Sequence, residues 1–307
     1  PEMNHKIKML ITGVSGLLGN NLARYFEKRY EVVGLYNEHP VLIKGIRTDK
    51  CDLSDDKSAR EMIHRYNPDV IIHSASMTNM DGCEKNPDKT RLVNVSSTRN
   101  IVDNITDQDS CLIYISTDSV YDGMKGNYSE NDSVNPLNIY GQTKFDGELI
   151  VRERQNSLVL RTNLFGWNIQ DKKSIAEWIL DALMNKQTIN GFQDAIFSTI
   201  YTMELARVID VAIRKQLTGV YNCGSSDSCS KYEFALKIAE HFGLNKELIC
   251  PISLDDFNFE ARRGKNLSLN VNNIQRNLDY RLPAIDQSID EFYRDFKCGM
   301  TEEIKKY

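Results

Sequence analysis

Residues 12–19, Thr12-Gly13-Val14-Ser15-Gly16-Leu17-Leu18-Gly19, decide the fold of this chain. Three of the eight are glycines, spaced G-x-x-G-x-x-G. They follow an apolar run at 6–12 that reads as a strand, and they open a stretch at 17–29 that reads as a helix. Such a turn needs glycine for three physical reasons. The chain bends sharply from strand to helix, the backbone approaches a pyrophosphate closely, and the helix packs tightly on the strand. The helix N-terminus then presents unpaired N–H groups and the positive end of its dipole to the phosphates. Gly13, Ser15, Gly16 and Gly19 are therefore candidate cofactor contacts. Three glycines alone would also suit a merely flexible turn. Their place after the first strand and before the first helix is what points to a dinucleotide.

Outward from this turn, strands and helices alternate. Strands are expected at 31–35, 69–74, 111–116 and 157–162. Helices are expected at 54–66, 89–104 and 138–155, with Ser54 capping the first of these. Alternation of this kind predicts the α/β class: a Rossmann-type, doubly wound parallel sheet with helices on both faces. After about residue 165 the rhythm loosens. Helices are expected at 174–184, 203–215, 230–242 and 286–296, and a short strand at 219–222. Ser230 reads as an N-cap and Gly243 as a C-terminal stop. The expected division is a dinucleotide-binding domain over 1–165, with a return segment at about 198–222. A smaller substrate-binding lobe then covers 166–197 and 223–307.

Several function classes are disfavoured by composition. A length of 307 residues suits one large α/β domain with a smaller lobe. A net charge of −5 supplies no basic face for nucleic acid, although it leaves room for a small anionic ligand. No run of 18 apolar residues exists, so no membrane span is expected. Residues 1–5 lead into the first strand without a signal-peptide core, and Met3 reads as the natural start, which points to the cytoplasm. The seven cysteines, Cys51, Cys83, Cys111, Cys223, Cys229, Cys250 and Cys298, are scattered and form no C-x-x-C pair. Reduced thiols are expected, and no zinc or other metal site.

The second strand should end on the residue that reads the adenosine ribose. An NAD-selective site carries an acid there. This chain has Leu35-Tyr36-Asn37-Glu38, with the acid slightly late. The uncharged tip, Tyr36 and Asn37, does not repel a 2′-phosphate, which favours NADP over NAD; His39, Lys44 or Arg47 would assist. Asp52 in Cys51-Asp52-Leu53 has two readings. With Leu53 it contacts the adenine, or it shapes the turn before the next helix.

Tyr140-Gly141-Gln142-Thr143-Lys144 opens the long helix. Spacing i, i+4 puts Tyr140 and Lys144 on one face. An ammonium beside a phenol favours the phenolate, so Lys144 is expected to lower the Tyr140 pKa towards working pH. The same lysine can hold ribose hydroxyls. Tyr and Lys are common residues, and the pair alone means little. Context changes that. The strand at 111–116 runs into Ser116-Thr117-Asp118-Ser119-Val120-Tyr121. This places the Thr117 hydroxyl at the carboxyl end of a strand, where ligands bind in such sheets. Two hydroxyls converging on one carbonyl oxygen would stabilise charge developing there.

These stretches, taken together, resemble the extended short-chain dehydrogenase/reductase family, and within it the dTDP-4-dehydrorhamnose reductases. The matching segments are 13–19, Val70-Ile71-Ile72-His73-Ser74-Ala75-Ser76, Asn94-Val95-Ser96-Ser97-Thr98, 116–123, 135–144, Arg161-Thr162-Asn163 and Arg263-Gly264-Lys265-Asn266. The resemblance implies these roles. Thr117 polarises the substrate carbonyl, Tyr140 donates the proton, and Lys144 tunes Tyr140 and binds ribose. Leu17 and Leu18 offer backbone N–H groups to the pyrophosphate. Ala75, Ser76, Asn94 and Ser116 belong to the cofactor site, and Asn163 lies near the nicotinamide. Asp118 is a candidate sugar contact, and Arg263 a candidate for the nucleotide diphosphate. The substrate is then a nucleotide sugar, and a homodimer is expected from the family.

Departures from the pattern also inform. The family's late Arg-Pro is Arg263-Gly264 here, and 166–200 match only loosely. Dehydratases of this fold need an Asp-Glu pair after the threonine, and here the pair is Asp118-Ser119. A serine cannot act as a carboxylate base, which disfavours water elimination. A nucleotide-sugar epimerase needs no extra acid and stays open. A regulatory subunit resembling that of methionine adenosyltransferase also stays open, although the set Thr117, Tyr140 and Lys144 is complete. His73, Trp167 and Trp178 read as packing residues rather than catalytic or stacking groups.

Overall fold

In the computed structural model, which describes residues 6–305, seven strands form one parallel sheet. The expected start at Met3 lies outside the described residues. The first six strands are β1 (Lys8–Thr12), β2 (Glu31–Tyr36), β3 (Arg47–Lys50), β4 (Val70–His73), β5 (Cys111–Thr117) and β6 (Ser157–Thr162). With the edge strand Gly219–Asn222, the order across the sheet is Gly219–Asn222, β6, β5, β4, β1, β2, β3. The order reverses between β1 and β4, which pair in parallel with Thr12 opposite His73. A crevice opens at such a reversal, because the connections on its two sides run away from each other.

The side-chain period of two explains why both faces are apolar. Met9 and Ile11 of β1 pack with Ile72, Ile113 and Leu160 on one face, under Leu22 and Phe26 of the helix Leu17–Phe26 and Val208 and Ile209 of Thr202–Arg214. Leu10, Ile71, Leu112 and Val159 point the other way, onto Met62, Ile101 and Val151 from three further helices. A separate core gathers Phe165, Trp167, Leu180, Phe234, Ile238 and Phe292 beside the sheet. There Trp167 stacks on Phe292 at 3.9 Å and donates its indole N–H to the Phe292 carbonyl. Trp178 is exposed, so only Trp167 of the two tryptophans is a core residue.

Other local expectations need correction. The helix expected from Ser54 spans Asp56–Tyr66, and its N-cap is Asp55, whose carboxylate accepts from Ser58 N at 2.8 Å. The single helix expected over 89–104 is broken. Pro87–Arg91 leads into a π-turn at Leu92–Ser96, and Ser97–Asn104 follows. The strand β3 carried no apolar signal, because its residues Arg-Thr-Asp-Lys sit at the sheet edge and are partly or fully exposed. Ser230 does cap Lys231–His241, in a capping box with Glu233, and Gly243 ends that segment with φ +65°.

Candidate active site

The carboxyl ends of β1, β2, β4, β5 and β6 surround a cleft of about 730 Å³. That is the size of a cofactor site, which typically holds roughly 300–1,000 Å³. One end of it is the glycine turn. Gly13 has φ +73°, and a Cβ there would stand 2.9 Å from Ala75 Cα. A Cβ on Gly19 would stand 2.3 Å from the Gly13 carbonyl oxygen. The helix Leu17–Phe26 can therefore start directly on the turn. Its N-cap, Gly16, has no capping side chain, and its first turn holds no acid. An uncapped, acid-free helix start in a cleft suits a nucleotide diphosphate. Gln170 braces the turn, donating to the Ser15 carbonyl at 2.5 Å.

Gly13, Ser15, Gly16, Leu17, Leu18 and Gly19 all line the cleft, as do Tyr36, Asn37, Asp52, Leu53, Ala75 and Ser76. Asp52 keeps both of its readings. It stands in the wall, and its Oδ1 also accepts from Ser54 N and Oγ at 3.0 and 2.6 Å. His39 and Glu38 are in the wall, whereas Lys44 and Arg47 are not; Arg47 pairs instead with Asp49 at 3.2 Å.

At the other end, β5 delivers Thr117, buried at the start of a short 3₁₀ turn; its Oγ1 accepts from Ser119 N at 3.1 Å. The helix Ile139–Val151 begins beside it, capped by Asn138, whose Oδ1 accepts from Gly141 N at 2.8 Å. Gly141 allows the approach, since a Cβ there would meet the Ser119 carbonyl oxygen at 2.2 Å. Tyr140 is thereby brought against Thr117. Burial pushes the Tyr140 phenol up, its hydrogen bond with Thr117 pulls it back, and Asp118 adds to the rise.

The expected lowering by Lys144 is not found. Lys144 lies one turn deeper, almost fully buried, with Nζ 4.2 Å from the centre of the Tyr114 ring. Burial pushes its ammonium down to about 7, against the opposing pull of Glu148. Lys144 thus gains and loses a proton near neutrality, while Tyr140 keeps its own.

Asp118 lines the cleft, yet it is only 1% exposed and both its oxygens are engaged. Oδ1 accepts from Thr117 and Ser119 hydroxyls at 3.3 and 3.2 Å, and Oδ2 from Asn163 Nδ2 at 3.0 Å. Burial raises its pKa to about 6, against the pull of Asn163 and Lys231. Ser116 is in the wall, but its hydroxyl turns inward to Glu148 at 2.5 Å. Asn94 corrects the expectation of a cofactor contact. It is buried outside the wall, where Oδ1 accepts from Met77 N and Nδ2 donates to Met77 O and Thr143 Oγ1. It ties the loop after β4 to the helix that carries Tyr140. His73 is fully packed between Thr12 and Thr98, and burial drives it down to about 3, so it is neutral.

Arg263 lies outside this cleft, in a small cavity that adjoins it. Its Nη2 pairs with Asp81 at 2.8 Å, and its guanidinium covers the Phe259 ring at 3.9 Å. Sequence reasoning missed Lys231, which lines the same cavity. One signal was available: a lysine directly after the N-cap opposes the helix dipole. Gln170, Lys172, Lys173 and Ser174 of the cleft wall were missed too, in a segment without a clear motif. Among the described residues, no cluster of three or more His, Cys, Asp or Glu is placed to hold a metal, and no helix is long and apolar enough to cross a membrane.

A pH dependence follows for Asp118. Its folded pKa, about 6, lies above its ordinary value, so the folded protein holds the proton more tightly than the unfolded chain. That contribution is complete below about pH 4 and is lost as pH rises through 6. The Asp118→Asn variant does not titrate there. Its unfolding free energy in urea, relative to the native protein, is expected to gain on the order of 2–3 kcal/mol between pH 4 and pH 7. A constant difference would contradict this account.

Comparison with known proteins places the geometry in context. A family model described as the RmlD substrate binding domain matches residues 7–298. The spore coat polysaccharide biosynthesis protein SpsK of Bacillus subtilis is 32% identical over 247 residues, covering 79% of this chain and 82% of that protein. Methionine adenosyltransferase 2 subunit beta of Danio rerio is 30% identical over 281 residues, covering 87% and 84%. The crystal structure of dTDP-4-dehydrorhamnose reductase from Bacillus anthracis, in complex with NADP, superposes with a TM-score of 0.84 at 26% identity. It covers 94% of this chain and 99% of its own.

Proposed function

Because the chain belongs to the RmlD substrate binding domain family, we propose that it reduces the 4-keto group of a nucleotide-linked deoxysugar with NADPH or NADH, as a dTDP-4-dehydrorhamnose reductase does. The observation that carries this reading is the meeting of Thr117 and Tyr140 at the end of a cleft that begins in a glycine turn. In this reading the turn Gly13–Gly19 holds the pyrophosphate, with Leu17 and Leu18 as backbone donors. Tyr36, Asn37, Asp52 and Leu53 face the adenosine; Ala75, Ser76, Lys144 and Asn163 face the nicotinamide riboside. When bound, the reduced nicotinamide supplies a hydride to the carbonyl carbon.

The chain's own residues do the rest. Tyr140 Oη holds the proton that the carbonyl oxygen will take; its raised pKa keeps it protonated until charge develops. Thr117 Oγ1 adds a second hydrogen bond to that oxygen. Lys144 Nζ, near neutrality, can return a proton to the site. Asp118 and Asn163 hold Thr117 in place rather than reading the sugar. The uncharged tip at Tyr36 and Asn37 supports NADPH ahead of NADH.

The test is oxidation of the reduced nicotinamide, followed by its absorbance, across a panel of nucleotide 4-keto sugars. A second reading, a regulatory or binding role, has one observation in its favour, the 30% identity to a methionine adenosyltransferase 2 subunit beta. No turnover on any sugar, with tight binding to another protein, would select that reading.

A further inference from the structure

The helix that carries Tyr140 is held at its very start by a side chain from another element. Ile139 is the first residue of the helix Ile139–Val151, and Tyr140 is the second. The first N–H groups of a helix find no partner within it. Asn138 takes the Gly141 N–H at 2.8 Å, and Glu84 Oε2 takes the Ile139 N–H at 3.1 Å. The first turn of this helix holds no acid of its own. Glu84 therefore also supplies the negative charge that a helix dipole favours at that end.

Glu84 belongs to a short helix, Met80–Lys85, which is itself fixed. Asn79 caps it, accepting from Gly82 N at 2.7 Å, and Cys83 is fully buried. Asp81, on the same face as Glu84 by its spacing of three, accepts from Ala261 N at 3.0 Å and from Arg263 Nη2 at 2.8 Å. The chain between those two residues returns to the Tyr140 helix, where Arg262 O accepts from Asn138 Nδ2 at 2.8 Å. Residues 81–84, 138–139 and 261–263 thus close a ring of hydrogen bonds around the helix start. Glu84 stands outside the wall of the cleft, so its influence on chemistry there passes through the helix.

We propose that Glu84 is a positioning residue for Tyr140: by holding the Ile139 amide it fixes where the helix begins, and with it the phenol beside Thr117. The consequence for turnover rests on the proposed function, in which Tyr140 is the proton donor. Proton transfer needs the donor within hydrogen-bond reach of the oxygen, and a misplacement of about 1 Å can cost on the order of 10²-fold in rate.

The experiment compares Glu84→Ala, which removes the acceptor, with Glu84→Gln, which keeps one oxygen. Amide hydrogen exchange is followed by mass spectrometry alongside steady-state kinetics on a nucleotide 4-keto sugar. In Glu84→Ala the amides of 139–142 are expected to exchange roughly tenfold faster, the change that loss of a helix-end hydrogen bond allows. The distant helix Lys231–His241 should exchange as in the native protein. The kcat should fall about ten- to a hundredfold, with KM and NADPH affinity nearly unchanged. Glu84→Gln should restore most of both effects. Native exchange at 139–142 in Glu84→Ala, a native kcat, a loss that falls on KM instead, or no rescue by glutamine overturns the proposal. Failure of the reductase reading would look different: even the native protein would reduce no sugar, while 139–142 still exchanged faster in Glu84→Ala.

Discussion

Replacing Tyr140 by phenylalanine is expected to lower kcat by about 10²–10⁴-fold, the range a positioned proton donor contributes. The exchange removes one oxygen and leaves the ring, so the helix Ile139–Val151 should keep its place beside Ser119. NADPH affinity, measured by fluorescence titration, should change little. The cofactor's main anchors are proposed at the glycine turn, at the other end of the cleft. Thr117 would still offer a hydrogen bond, which accounts for residual turnover. If Tyr140→Phe reduced the substrate at the native rate, the proton would have to come from elsewhere, and Lys144 would be the first group to examine.

The second large effect concerns stability. Glu148 is fully buried beneath the site, on the same helix as Tyr140 and Lys144. It receives Ser116 Oγ at 2.5 Å and a two-pronged contact from Arg161, with Nη2 at 2.7 Å. Arg161, only 3% exposed, also donates to the Tyr121 hydroxyl at 2.9 Å. Glu148→Ala would strand the guanidinium inside the sheet's core, so urea unfolding should show a loss of about 3–5 kcal/mol. Exchanging both partners for methionine, Glu148→Met with Arg161→Met, should recover most of it, because no unpaired charge then remains. A loss below about 1 kcal/mol in the single variant would show that water or another acceptor reaches Arg161. Glu148 also favours the charged form of Lys144, so this pair links the stability of the sheet to the charge in the cleft.

Much of this molecule is legible before folding is considered. The glycine turn, the strand–helix alternation and the threonine at a strand end are local patterns, and each has a local cause. The elements that escaped notice lacked such patterns. The polar edge strand Arg47–Lys50 has one neighbour and no apolar face to declare it. The π-turn Leu92–Ser96 brings Asn94 inward to clamp Met77, and no residue type announces that. Lys231 is 87 residues beyond Lys144 in the chain, counting 144 to 231, and reaches the cavity beside the cleft only through tertiary packing.

The pair Tyr140 and Lys144 divides the two kinds of information most clearly. The sequence by itself determined that both residues share one helix face and that Thr117 stands at the carboxyl end of a strand. That spacing follows from backbone geometry alone. Only the tertiary structure decided their electrostatics. The phenol is raised by burial, with Thr117 opposing the rise and Asp118 adding to it, and the lysine is lowered to about 7 above the Tyr114 ring. A pKa depends on desolvation and on charges brought near by folding, and neither is written in a spacing of four residues.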